Sequence, residues 1–130
     1  MIDILDEVYE LFTADELIQG ICEDRIKFYS VPESLNTKQT FMRISLLEPP
    51  REDVYKSDSP SVERVSLQID VEGSERKKIK VVQSRVRNIL EKINIKQEMG
   101  GLDAYFDETK RFVDSRRYSG LPFNLYKEEY

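Results

Sequence analysis

The chain has 130 residues, 39% of them hydrophobic and 35% charged, and a net charge of −5, which suits one domain with one core and excludes a disordered chain. A single cysteine, Cys22, and no histidine exclude an intramolecular disulfide framework and the usual zinc sites. The acidic balance excludes wholesale electrostatic binding to DNA, so any nucleic-acid surface has to be local.

In "MIDILDEVYELF", Ile2, Leu5, Val8, Tyr9 and Phe12 recur at helical spacing, with Asp3, Asp6, Glu7 and Glu10 on the other side. The spacing predicts an amphipathic helix. This stretch has neither a basic leader nor a continuous apolar run, so the expectation is no signal peptide, no membrane span and no membrane partner, with a cytoplasmic origin. Thr13 and Glu16 have the spacing of a capping box, which predicts a short second helical turn, or a kinked continuation of the first helix, before Gly20.

Arg25 to Tyr29 ("RIKFY") and Thr40 to Leu47 ("TFMRISLL") alternate polar and apolar residues and are bounded by prolines, which predicts two strands. Glu48 to Ser61 holds three prolines and many charges, and its composition predicts a long exposed loop. The cleanest period of two follows: Val65, Leu67, Ile69 and Val71 share one strand face, Ser66, Gln68, Asp70 and Glu72 the other. After Gly73, Ser74 is placed to cap a helix over 75–93 whose stripe is Ile79, Val82, Val86, Ile89, Leu90 and Ile93. Leu102 to Asp107 and Arg111 to Tyr118 flank a polar turn and predict a hairpin, with 119–130 left as a C-terminal extension. The order helix, strands, helix, hairpin predicts a single α+β domain over 1–130, with helices packed on one face of a mainly antiparallel sheet.

The predicted long helix carries Arg76, Lys77, Lys78, Lys80, Arg85, Arg87 and Lys92 against Glu75 and Glu91. Such a stripe suits phosphate binding, but no aromatics interleave with it to stack bases. A solvated helix back, or a partner for an acidic neighbouring subunit, fits better. Asp70, Glu72 and the Glu75-x-Lys77 pair have the residue types of a magnesium nuclease, yet Glu75 and Lys77 would fall on different sides of a helix's first turn. No histidine is available to activate Cys22 or a serine, and the five glycines are too scattered for a phosphate loop. The expectation is therefore no enzyme, with no catalytic, metal or cofactor-binding residues. The C-terminal "RRYSGLPFNLYKEEY" gathers Arg116, Arg117, Tyr118 and further tyrosines, residue types that anchor interfaces or fold back on their own core.

The acidic first helix, the "VPES" turn, the strand "VSLQIDVEG" leading into a long helix, and "DAYFDETKRFVDSRRYSG" together resemble the tail-completion proteins of long-tailed phages, a group of tail terminators and tail-to-head joining proteins. The resemblance spans almost the whole chain and implies a structural virion protein of the phage or prophage tail, assembled in the cytoplasm of a host bacterium. It implies a homo-oligomeric ring, usually hexameric, that caps the major tail tube protein, docks to the head connector and lets DNA pass through its lumen. It further implies that Asp70 and Glu72 of one copy meet Arg76, Lys77, Lys80 and Arg87 of the next. Asp53 and Tyr55 in the loop 48–61, with Arg116, Arg117 and Tyr118 towards the tail, would reach neighbouring subunits, the tube or the connector. The alternative is a small nucleic-acid-binding α+β module that uses the basic helix.

Overall fold

Asp3 opens the first helix by accepting hydrogen bonds from the amides of Leu5 and Asp6, donors that a helix start leaves without an intrahelical partner. The computed structural model describes residues 2–53, 62–122 and 125. Helix α1 (Ile4–Ala14) buries Ile4, Leu5, Val8 and Phe12, and α2 (Glu16–Cys22) buries Ile18 and Cys22. The break between them falls at Asp15, which is extended and whose carboxylate accepts from the Ile18 amide. The expected capping box at Thr13 does not form. The helical period of α1 runs on through Ala14, which carries Thr13 inside the helix, where its hydroxyl donates to the carbonyls of Tyr9 and Glu10.

Strands β1 (Ile26–Phe28) and β2 (Phe41–Leu46) lie within the two expected segments and pair parallel, Ile26 opposite Met42. Arg25 ties the start of this pair to α2, donating to the carbonyls of Thr40 and Ile21 at 3.0 and 2.8 Å. The segment expected as a loop from 48 to 61 contains strand β3 (Arg51–Asp53), which pairs antiparallel with residues 62–64. Tyr55 lies outside the described residues.

Strand β4 (Val62–Gly73) is the spine of the sheet: β2 pairs along 67–72 and β7 (Arg111–Gly120) along 65–73, both antiparallel. Helix α3 (Arg76–Lys92) follows it, but Ser74 does not cap it. The Ser74 hydroxyl is committed to the Lys38 carbonyl at 2.7 Å, and Glu75 takes the cap position without a side-chain bond. Strand β5 (Ile95–Gln97) was not anticipated. It pairs with the end of β7, while β6 (Leu102–Phe106) forms the expected hairpin with its start. Residues 119 and 120, assigned from the sequence to an extension, complete β7.

Among the described residues the fold is α+β, three helices and a mostly antiparallel seven-stranded sheet of order β1-β2-β4-β7-β5, with β3 beside β4 and β6 beside β7. The core joins Val8, Phe12, Ile18, Ile79, Val82, Val86 and Leu90 of the helices to Met42, Ile44, Leu67, Ile69, Val71 and Tyr118 of the sheet. Gln83 docks α3, with its fully buried amide donating at 2.9 Å to the carbonyls of Ile69 on β4 and Asp114 on β7 and accepting from the Tyr118 hydroxyl. Among the described residues, no helix lies over the opposite face of the sheet.

Candidate assembly surface

Because side chains alternate along a strand, packing Ile69 and Val71 under α3 turns Gln68, Asp70 and Glu72 to the helix-free face. Neighbouring strands add Arg43 from β2 and Arg111, Val113, Ser115 and Arg117 from β7. The hairpin contributes Leu102 and Phe106 to one wall of the resulting groove, which has a volume of about 490 Å³.

Glu72 is the electrostatic centre of this face. It is only 6% exposed, accepts from an Arg43 guanidinium nitrogen at 2.7 Å and stands 3.5 Å from Arg111 Nε. Burial pushes its carboxyl above the usual range, with Asp70 adding to the effect, and the two arginines offset this only in part. Asp70, also buried, accepts from the Gln68 side chain at 3.1 Å. Arg111 packs over the Phe41 ring at 5.5 Å. The face is therefore mixed in charge, and its acid is already paired within one copy.

The basic helix is divided in the same way. Lys80 lies between two carboxylates, bonded to Asp103 and, at 2.7 Å, to Asp114. Burial lowers its pKa, but hydrogen bonds and charge from both acids outweigh burial and raise it overall. Lys78 pairs with Glu75 and Arg85 with Asp15. Arg76 and Lys77 remain exposed on α3, and Arg87, also exposed, lines a groove with Asp103, Asp114 and Arg116.

The residues expected at an interface thus separate into three groups. Arg76, Lys77, Arg87 and Arg117 are exposed. Asp70, Glu72, Lys80 and Arg116 are at least partly buried and held by partners of the same copy, Arg116 by Asp114 at 2.9 Å. Tyr118, expected among the tail's surface anchors, is instead fully buried in the core. Its phenol is pushed up to about 12, chiefly by burial, because the alternation of β7 places it under α3. Asp53 ends β3.

No local spacing in the sequence signals Arg43 and Arg111, which hold Glu72, because they reach it from β2 and β7. Sequence reasoning also misses Leu102, Tyr105 and Phe106 as surface residues, although each is 44 to 49% exposed. Their signal is a hairpin strand with large apolar residues on both of its faces. Among the described residues no cluster of three or more His, Cys, Asp or Glu side chains is placed to hold a metal, and no helix is long and apolar enough to cross a membrane.

No family model matches the chain, and no curated protein matches it. Among solved structures it is similar to a chain in the virion of a native gene transfer agent particle, with a TM-score of 0.59 at 11% identity, covering 88% of this chain and 90% of that one. The likeness is one of fold, and it extends over nearly all of both chains.

Proposed function

We propose that this protein is a structural component of a phage-like virion: a tail-completion protein that assembles into a ring of six copies, caps the tail tube and joins it to the head connector. The observation that carries this reading is the shared fold, covering 88% of this chain and 90% of a chain of a gene transfer agent virion. Its partners are further copies of itself, the tail tube protein and the connector, and its place is the virion tail. It catalyses no reaction.

On this reading the helix-free face lines the lumen. Arg43, Arg111 and Arg117 stand there beside Asp70 and Glu72, a balance that lets DNA slide past without the counterion release that would hold it. Arg76, Lys77 and Arg87, exposed on α3, face the other virion proteins. Native mass spectrometry of the protein alone, and electron microscopy of it mixed with tail tubes, test the reading. Rings and capped tube ends are expected. A chain that stays monomeric and leaves every tube uncapped overturns it.

A further inference from the structure

Four strands have a single neighbour among the described residues: β1 beside β2, β3 beside β4, and β5 and β6 both beside β7; two of these edges, β1 and β6, suit each other. An open edge presents unpaired amides and carbonyls to any other strand, and proteins ordinarily blunt such edges with lysine, proline or a bulge. Strand β6 is not blunted. Leu102, Tyr105 and Phe106 are 49, 44 and 44% exposed, and its one charge, Asp103, is held by Lys80.

The edge of β1 is open in a definable way. The Met42 amide donates to the Arg25 carbonyl and the Tyr29 amide to the Ile44 carbonyl. In a parallel ladder that turns the amides of the alternate residues, Ile26 and Phe28, to the free side. Aromatic rings flank this edge, as they flank β6: Tyr9 packs edge-on to Phe28 at 5.7 Å, and Tyr29 is 54% exposed.

Strand directions settle how the two edges would meet. β1 runs parallel to β2, β2 antiparallel to β4, β4 antiparallel to β7 and β7 antiparallel to β6. Hence β6 runs opposite to β1. When every copy points the same way along an axis parallel to the strands, β6 of one copy meets β1 of the next as an antiparallel neighbour, the more stable ladder. The two edges are different surfaces, so the contact is heterologous and propagates around a ring instead of stopping at a dimer.

We propose that β6 of each copy adds to the open edge of β1 on the next, so that one sheet runs on from subunit to subunit. This deepens the ring reading above and rests on it. In the continuous sheet Tyr105 joins the side that carries Tyr9 and Phe28, and Ala104 joins the side that carries Lys27.

Two single variants, Lys27→Cys and Ala104→Cys, test the seam. Both residues are half-buried and lie on the helix-free side, opposite Arg43 and Val113. The native Cys22 is buried with its thiol pushed up to about 12 by burial, so it reacts little with a short bis-maleimide. Co-expressed, the two variants are expected to give a cross-linked dimer, and each expressed alone none. A chain carrying both substitutions is expected to give a ladder of cross-linked species. Self-cross-linking of the Ala104→Cys variant means that two β6 edges pair with each other, and overturns the proposal. Rings that form without any cross-link overturn the seam and leave the ring reading standing. Cross-linked pairs that never close into rings keep the seam and overturn the ring.

Discussion

Asp15 serves two elements at once. One carboxylate oxygen accepts from the Ile18 amide at 3.1 Å and caps α2, and the other accepts from Arg85 Nε at 2.8 Å and ties α3 to the α1–α2 corner. Burial raises its pKa, but the hydrogen bond and charge of Arg85 together with the helix amides outweigh burial and hold it below the usual value. A folded pKa below the unfolded one means that this stabilisation is present above the unfolded value and is lost as pH falls through the folded one. Asp15→Ala is expected to lower stability by about 1 kcal/mol or more, a typical loss for a cap. Asp15→Asn keeps an oxygen for the Ile18 amide and is expected to cost less. In urea melts across a pH series, the gap between the Asp15→Asn variant and the native protein should close as pH drops below the folded pKa. The Gln83 amide is spent on three partners in the core. Tyr118→Phe strands its oxygen and is expected to cost about 1–2 kcal/mol, while Gln83→Leu strands the Tyr118 hydroxyl and two carbonyl contacts and is expected to cost more. The double variant should cost less than the sum, because both changes remove the same bond.

At the scale of elements, Gly120 closes the corner where β5 and β4 meet the end of β7. A Cβ on it would stand 1.9 Å from the Asn94 carbonyl oxygen and 2.9 Å from the Ile95 Cα, both backbone atoms that cannot rotate away. Gly120→Ala is expected to displace β5 and destabilise the fold by about 2–3 kcal/mol, at the upper end of overpacking costs. Amide exchange should localise the loss to 95–97 and 118–120. None of this was legible in the sequence, where 119–130 reads as an extension and β5 leaves no pattern: of its three residues only Ile95 is buried. The elements that could be read are those that bury one whole face. The strand with Val65, Leu67, Ile69 and Val71 and the helix expected over 75–93 are β4 and α3 almost residue for residue. β7 was legible as a strand but not as a core strand, because its inward face mixes Phe112, Asp114, Arg116 and Tyr118 and carries no simple hydrophobic signal. For the surface, the sequence placed Asp70 and Glu72 on one face correctly. It could not supply Arg43, 29 residues away, since cross-strand neighbours depend on register and not on local spacing.

Across the whole molecule, charge and seam make separate predictions. With 25 acidic against 20 basic residues and a net charge of −5, copies in a ring repel one another at low ionic strength. A seam that relied on the acidic strand face of one copy meeting the basic helix of the next would overcome that repulsion only in low salt. Within each copy, however, Glu72 is already bonded to Arg43 and Lys80 to Asp103 and Asp114, which removes the strongest charges from such a match. A seam built from backbone hydrogen bonds and the rings of Tyr105, Phe106 and Phe28 responds in the other direction. Added salt screens the repulsion over a Debye length of about 10 Å at 0.1 M and leaves apolar burial intact. The ring fraction in sedimentation velocity is therefore expected to hold or rise between low and moderate salt. On the proposed reading, docking to tail tubes through Arg76, Lys77 and Arg87 should weaken over the same range. The double variant Arg76→Glu, Lys77→Glu is expected to change stability by no more than about 0.5 kcal/mol, as exposed substitutions usually do, to leave ring closure unchanged and to reduce tube capping. Should this double variant instead abolish DNA retention at low salt while capping persists, α3 is a nucleic-acid surface and its assignment to virion partners is wrong.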